Sequence, residues 1–207
     1  MNAMLRSFTT GLLIVAVGGC AGTKGQPKER EQPDFTLTCV AVLPAVQGAT
    51  DLNRQPTAVE EKALAEGTVA LNQALREYFG GRTDIRMISA EDAGPRQSLA
   101  GAKAAAEKAG CNAVLETTLR RYQERVGGEY TAKEPAAVAF SYRLLALPEG
   151  AVVCQSSMDE EQEPLMNNLL KFRRSAENSF AWVTAERLLT QGLHERLAEC
   201  SYLGGKK

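Results

Sequence analysis

The chain has 207 residues, of which 44% are hydrophobic and 24% charged, with a formal net charge of −1. This composition is typical of a globular protein of one domain with short appendages. Because phosphate binding needs clustered lysine and arginine side chains, the balanced charge excludes an extended nucleic-acid surface, and we expect no nucleic-acid partner.

The first twenty residues have the layout of a secretory signal. A single cation, Arg6, precedes an apolar run over 11–17, and two glycines separate this run from Cys20. The run is much shorter than the roughly 20 residues that a membrane-spanning helix needs. We therefore predict a signal peptide over residues 1–19 that is cleaved, rather than a permanent membrane span.

The residues "VGGC" at 17–20 resemble the lipobox of bacterial lipoproteins, in which a branched apolar residue and two small residues precede a modified cysteine. The resemblance implies lipidation of the Cys20 thiol, cleavage before it, and acylation of the new amino terminus by long chains such as palmitate. Two or three such chains hold a protein at a lipid bilayer, because each buried methylene contributes about 0.8 kcal/mol. An ordinary cleaved signal with a coincidental cysteine is the alternative.

The residue after the cysteine bears on localisation. In lipoproteins of Gram-negative envelopes an aspartate at this position favours the inner membrane, whereas this chain has Ala21. The resemblance therefore implies a protein of the cell envelope that is lipid-anchored in the outer membrane, with its domain in the periplasm.

Residues 20–34 are predicted to be the lipidated cysteine and a flexible tether. The stretch "AGTKGQPKEREQP" at 21–33 is polar, contains Gly and Pro and lacks apolar periodicity. Reach toward a partner and simple clearance from the bilayer explain it equally well. A single α/β domain over 35–203 and a disordered tail over 204–207 complete the predicted organisation.

From Phe35 onward, hydrophobic periodicity predicts an alternation of strands and helices. The predicted elements are a buried strand ending at Pro44, a helix from the capping box "TAVE" at 57–60 to about Phe79, a strand at 84–89, an alanine-rich helix at about 97–109, a strand at 112–126, and strands at 136–147 and 151–158. The crossover helices imply that the first three strands are parallel, and "PEG" at 148–150 makes the last two a hairpin.

The C-terminal part is predicted to be helical. One helix is expected to begin at Pro164, behind the acidic run "DEEQE" at 159–163, and a final helix spans about 178–200. The predicted fold class is therefore α/β: a three-layer-like mixed sheet of about five strands, in the order β-α-β-α-β-β-β, with helices packed on it and a long C-terminal helix.

The pieces "VAVLP" at 40–44 and "AGCNAVLETTLRRYQERVGGEY" at 109–130, with the closing helix, resemble a group of envelope lipoproteins. The group includes the curli secretion-channel lipoprotein, the lipoprotein activators of penicillin-binding proteins, and relatives that share the fold of the amino-terminal domain of the Tol-system propeller protein. In the secretion channels, long hairpins build a membrane barrel, and each of its strands needs about 9 to 11 residues. The segment "GGEYTAKE" at 127–134 is too short to supply such strands, so we do not expect this chain to form a pore.

The resemblance thus implies a non-enzymatic binding or assembly factor for another cell-envelope component, whose identity is unknown. An accessory subunit of an oligomeric secretion or transport complex, and hence a homo-oligomer, is the alternative.

Four cysteines besides Cys20 are available for disulfides in a compartment that permits oxidation. Cys39 and Cys111 open the first and third predicted strands; in neighbouring strands of equal register they would lie about 4.8 Å apart, near the range that a disulfide tolerates. That pairing leaves Cys154 with Cys200. Free buried thiols and other connectivities stay open. Since no Cys-x-x-Cys is present, a thiol-redox catalyst is not expected.

No catalytic, metal-binding or cofactor-binding constellation is evident in the sequence. The single histidine, His194, lies on the final helix, and its neighbours Glu195 and Arg196 do not converge on it. One histidine and scattered cysteines offer no pair of zinc ligands, and the acidic run at 159–163 lacks the pattern of a calcium loop and is expected to be a solvated lead-in to the next helix. We therefore expect no enzyme, no metal and no cofactor.

A group of basic and aromatic residues lies at and beyond the end of the third predicted strand. Arginine and tyrosine are favoured at the centres of protein interfaces. The group is therefore a candidate partner surface, with an exposed sheet end that binds nothing as the alternative; its members are Arg120, Arg121, Tyr122, Arg125 and Tyr130.

Overall fold

The computed structural model describes residues 36–48, 55–93, 98–127, 132–162 and 183–204. All of them belong to one unit, Gln32–Lys207. Cys20, the predicted signal peptide and tether, Tyr130 and the predicted helix beginning at Pro164 lie outside the described residues.

The main strands and helices follow one another in the predicted order, and several short elements that the sequence does not predict lie between them. The strands are β1 (Val40–Val42), β2 (Val46–Gln47), β3 (Ile85–Met87), β4 (Ala113–Gln123), β5 (Val126–Gly127), β6 (Ala132–Glu134), β7 (Ala137–Ala146) and β8 (Ala151–Glu161). The helices are α1 (Ala58–Phe79), α2 (Ala90–Ala93), α3 (Leu99–Lys108) and α4 (Ala185–Ala198).

The main sheet is mixed and has the strand order β3-β1-β4-β7-β8. Strand β1 is parallel to both β3 and β4, and β7 is antiparallel to both β4 and β8. The short strand β2 extends the β1 side by pairing in parallel with β4. The predicted fold class, a mixed sheet of about five main strands with helices packed on it and a C-terminal helix, is confirmed.

Helices α1 and α4 cover one face of this sheet. At the start of α1, the backbone N–H of Glu60 donates to Thr57 Oγ1 over 3.3 Å, and the N–H of Thr57 donates to Glu60 Oε2 over 2.7 Å, which forms the predicted capping box. The buried faces of both helices and the facing sheet residues form the larger core, which includes Leu71, Leu75, Phe140, Leu189 and Leu193.

Helix α3 lies on the opposite face, above β1 and the beginning of β4. Its buried residues are Ala102, Ala105 and Ala106, and they form a smaller core with residues such as Ala41 and Val114. Alanine side chains allow the helix axis to approach the sheet closely, as the sequence pattern predicts. Gly110, with φ of +70°, takes the chain from α3 back toward the sheet.

The acidic run departs from the prediction. Asp159, Glu160 and Glu161 continue strand β8 and pair with Ala139, Val138 and Ala137 of β7. The expectation that they form a solvated helix lead-in is wrong, because strand pairing with β7 extends through Glu161. Helix α4 begins at Ala185 with Thr184 as its N-cap, later than the predicted start at 178, and 178–182 lie outside the described residues.

Candidate partner-binding surface

A β-bulge on β4 determines which side chains face solvent. Leu119 pairs with Phe140, whereas Arg121 pairs with Ala139, so Arg120 is an extra residue on β4. The bulge shifts the alternation of the strand by one residue. Leu119 therefore faces the larger core, whereas Arg121 faces the opposite side of the sheet.

We call this opposite side of β4, β7 and β8 the open face. The described helices that pack on β7 and β8 lie on the other side, and α3 covers only the region of β1 and the beginning of β4. Three rows of paired residues across β4, β7 and β8 define it, namely Glu116-Arg143-Gln155, Thr118-Ser141-Ser157 and Arg121-Ala139-Asp159. Such a polar, half-exposed face is typical of an antiparallel part of a sheet.

Arg121 is the centre of the charge arrangement on the open face. Its Nη2 lies 2.5 Å from Asp159 Oδ1 and its Nη1 lies 3.3 Å from Glu161 Oε2. The guanidinium reaches these carboxylates across β7 because the intervening side chain, Ala139, is small. Arg120, Arg121, Ala139 and Asp159 line a hollow of about 160 Å³ at this point.

A second ion pair lies closer to the middle of the sheet. Arg143 Nη2 donates to Glu116 Oε2 over 2.8 Å. The Glu116 side chain is only 7% exposed, whereas that of Arg143 is 59% exposed. The arginine therefore lies over the carboxylate. Its charge and hydrogen bond compensate the buried carboxylate for the hydration that an exposed glutamate would have.

The predicted partner surface is only partly brought together. Arg120 and Arg121 meet at the hollow. Tyr122 lies on the other side of the sheet, against Gly67 of α1, and burial together with the charges of nearby glutamates raises its pKa to about 12. Arg125 lies between β4 and β5, half-buried, and its backbone N–H donates to Glu124 Oε1.

Sequence reasoning missed the partners of Arg121 and the pair formed by Glu116 and Arg143. The alternation of polar and apolar residues in "AFSYRLL" and "QSSMDEE" was an available signal, since it places every second side chain on one face. Their register with β4 could not be predicted, because it depends on the bulge at Arg120.

The structure contains two disulfides, and they are the pairs that the sequence favours. Cys39 is bonded to Cys111 with a Cα–Cα distance of 4.5 Å, and Cys154 to Cys200 with 6.0 Å. The assumed equal register of the first pair is wrong by one residue, because Val40 pairs with Ala113, which places Cys39 opposite Asn112.

Asn112 joins the segment before β1 to the sheet. Its Oδ1 accepts from the N–H groups of Thr38 and Cys39 at 3.0 and 3.2 Å, and its Nδ2 donates to the carbonyl of Thr36 over 2.8 Å. The amide side chain thereby replaces strand pairing for this segment, immediately beside the disulfide between Cys39 and Cys111.

His194 is exposed on α4, and its ring centroid lies 4.9 Å from that of Tyr78 in an edge-to-face arrangement. Within the described ranges, no group of three or more His, Cys, Asp or Glu side chains is arranged to hold a metal ion. In the same part of the chain, no helix has the length and apolar character needed to span a bilayer.

No protein-family model and no curated protein sequence matches this chain. Its fold is similar to the PelC dodecamer from Paraburkholderia phytofirmans, at 16% identity over 82% of this chain and 89% of that chain, with a TM-score of 0.47. It is also similar to the LpoB C-terminal domain from Salmonella enterica, at 14% identity over 63% and 87% of the two chains, with a TM-score of 0.36.

The lipoprotein GNA1162 from Neisseria meningitidis is a further neighbour, at 18% identity over 68% of this chain and 94% of that chain, with a TM-score of 0.32. The similarity to all three is one of fold alone. The similarity to the Tol-system propeller protein stays a prediction.

Proposed function

We propose that this protein is a lipid-anchored, non-enzymatic binding factor of the bacterial cell envelope, held at the outer membrane by acylated Cys20, and that the open face binds its partner. The observation that carries the proposal is the ordered charge arrangement in which Arg121 bridges Asp159 and Glu161 across Ala139. The partner is another envelope component, and the domain works in the periplasm.

The arrangement favours binding for an entropic reason. A long arginine side chain on a surface normally loses rotamer freedom when a partner immobilises it, at about 0.5–1.5 kcal/mol per side chain. Arg121 is already held by two carboxylates, and its side chain is 31% exposed. A partner that binds Arg121 therefore causes a smaller loss of side-chain entropy. The N–H donors of the guanidinium and the oxygen acceptors of the two carboxylates stay accessible to that partner.

In-cell photo-crosslinking tests the binding surface. A photo-reactive amino acid replaces Ser141, which lies half-buried at the centre of the open face, and a matched control replaces Val69, which is 68% exposed on α1. We expect one defined adduct from position 141 and none from position 69. No adduct from position 141, or the same adduct from both positions, would contradict the proposal.

Substitution of Cys20 tests the anchor separately. We expect Cys20→Ser to give a soluble periplasmic form or an uncleaved precursor, because the thiol that carries the lipid is lost. Membrane fractionation and the intact mass of the mature protein are the measurements, with the unsubstituted chain as control. A variant with unchanged fractionation and mass would exclude lipidation at this residue.

The alternative function is that of a ring-forming subunit of a secretion complex. The acylated protein can also be used to distinguish this function from that of a binding factor. Light scattering of the acylated protein in detergent would show a large symmetric oligomer for such a subunit. For a binding factor that acts as a single copy, we expect the mass of one chain with its detergent.

A further inference from the structure

Strand β8 is the long edge of the main sheet. It has 11 residues and pairs on one side with β7, whereas the edge at the other end, β3, has three residues. Among the described residues, no strand pairs with the outer side of β8 and no backbone hydrogen bond outside the β7 pairing reaches it. Alternate N–H and C=O groups of an edge strand point away from the sheet and can pair with another chain.

Proteins normally prevent an edge strand from pairing with another chain by bulges, charged residues or prolines. In β8 such features are confined to the two ends of the strand. A bulge at Val153, between the pairs of Leu144 with Cys154 and Leu145 with Val152, disturbs the beginning of the strand. Acidic residues occupy only its end. The middle, Gln155–Met158, contains no charge, no proline and no bulge.

The acidic end of β8 has three carboxylates, the strand contains no basic residue, and these carboxylates are distributed over both faces of the sheet. On the open face, Asp159 and Glu161 share Arg121. On the helix side, Arg196 lies 3.9 Å from Glu160 and 2.9 Å from Glu199. Counting Arg120, which lines the hollow with Arg121 and Asp159, these four carboxylates are accompanied by three guanidinium groups, and basic side chains on an added strand would be attracted to the carboxylates of both faces.

We infer that the outer edge of β8 binds an extended, basic segment of a partner protein by strand addition. Main-chain hydrogen bonds along Gln155–Glu161 supply affinity, and consecutive basic residues of the segment meet the carboxylates on the two faces. The inference deepens the proposed function, and depends on it, since it states the chemistry of one contact that the binding factor makes.

A second copy of this chain is a poorer occupant of the edge. Antiparallel pairing of two β8 strands about Ser156 would place Asp159, Glu160 and Glu161 opposite Val153, Val152 and Ala151, with no charge partner. Moving the two-fold axis toward the end of the strand would place carboxylates opposite carboxylates, which destabilises a pair. Charge complementarity therefore favours a basic partner segment.

Hydrogen–deuterium exchange of the acylated protein in detergent tests the inference with defined peptides. The probe is a capped peptide of alternating Val and Thr with a central Lys-Arg-Lys, and its control replaces the three basic residues by Glu. Two further peptides carry backbone N-methyl groups on alternate residues, one peptide on the odd-numbered and the other on the even-numbered residues. In an added strand only every second N–H group of the peptide faces β8. Strand addition therefore requires that the peptide methylated at those positions does not bind and that the other peptide does.

We expect the basic peptide to slow exchange in Ala151–Glu161, and the acidic peptide and one N-methylated version to leave it unchanged. Glu160→Gln combined with Glu199→Gln should weaken the basic peptide about tenfold, whereas Glu61→Gln combined with Glu91→Gln, which removes exposed carboxylates elsewhere, should not.

Three results would overturn the inference. They are absence of protection, equal protection by both N-methylated versions, and slow exchange, before any peptide is added, of the alternate β8 amides that do not pair with β7, which would mean that the edge is already covered. An adduct from position 141 obtained together with any of them would leave the proposed function standing and remove strand addition alone.

Discussion

Gly67 of α1 lies directly against the side chain of Tyr122 on β4. A Cβ atom placed on Gly67 would be 2.6 Å from the Cβ of Tyr122, which is closer than two non-bonded carbon atoms can approach. We expect Gly67→Ala to lower the free energy of unfolding by about 1–2 kcal/mol, because overpacking exceeds the gain in helix propensity. Urea denaturation followed by circular dichroism measures the change.

A double variant supplies the control for this contact. A Tyr122→Gly background removes the three side-chain atoms that the added Cβ would meet, and Gly67→Ala should then stabilise α1 by about 0.5–1 kcal/mol. The same destabilisation by Gly67→Ala in both backgrounds would show that the tyrosine is not the cause.

Two tyrosines make the fold sensitive to alkaline pH. Burial, with the charges of nearby carboxylates, raises the pKa of Tyr122 and of Tyr142 to about 12, and the hydroxyl of Tyr142 donates to the carbonyl of Arg196 over 2.8 Å. In the unfolded chain both ionise near pH 10. Since the folded pKa is the higher one, stability is fully present below pH 10 and is lost as pH rises toward 12.

Absorbance of tyrosinate at alkaline pH checks this expectation. Tyr122→Phe and Tyr142→Phe should each remove one late-titrating group from the folded protein, and both should flatten the fall of the urea midpoint between pH 10 and 12. The unfolded protein in urea is the reference. Titration of all tyrosines near pH 10 in the folded state would contradict the buried placement.

The ion pair of Glu116 with Arg143 should be asymmetric in its effect on stability. Arg143→Met leaves a buried carboxylate without its charged partner, and we expect a loss of about 1–2 kcal/mol, discounted for the exposure of the arginine. Glu116→Gln keeps an acceptor of the same shape and should cost less. Urea midpoints of the two variants, compared with Arg121→Met on the same face, measure the difference; a larger loss for Glu116→Gln would refute this account.

The two disulfides should be found by peptide mapping under non-reducing conditions. Their loops span 72 and 46 residues, and loss of either should cost up to about 4 kcal/mol through the entropy of the unfolded chain. Cys39→Ala with Cys111→Ala, and Cys154→Ala with Cys200→Ala, test each loop by urea denaturation. Detection of Cys39 joined to Cys200, or of four free thiols, would exclude the pairing.

The order of elements was predictable because local signals specify it. The capping box at Thr57 and Glu60, the alanine-rich face of α3 and the turn at 148–150 are each read from a few adjacent residues. The short elements β2, α2 and the β5–β6 ribbon have too few residues to produce a periodic pattern, and pairing with distant strands or packing decides them.

The candidate surface was less predictable than the fold. A strand places alternate residues on opposite faces, so Arg121 and Tyr122 could not both point to one partner on a regular strand. Which of them faces solvent depends on the bulge at Arg120, and the ion pairs of Arg121 depend on the register of β8 two strands away. These are non-local properties that a single stretch of sequence does not contain.

The disulfide between Cys39 and Cys111 has a mechanical consequence for a protein that is tethered as we propose. A pull along the N-terminal segment reaches the domain at Thr36–Cys39, where Asn112 holds the chain. Strand β1 has three residues and would separate under load by itself, but the covalent bond carries the force past it to the base of β4, which is paired with β1 on one side and β7 on the other. Tension applied at the membrane is therefore borne by the middle of the sheet, and the open face keeps its shape while the anchor is strained.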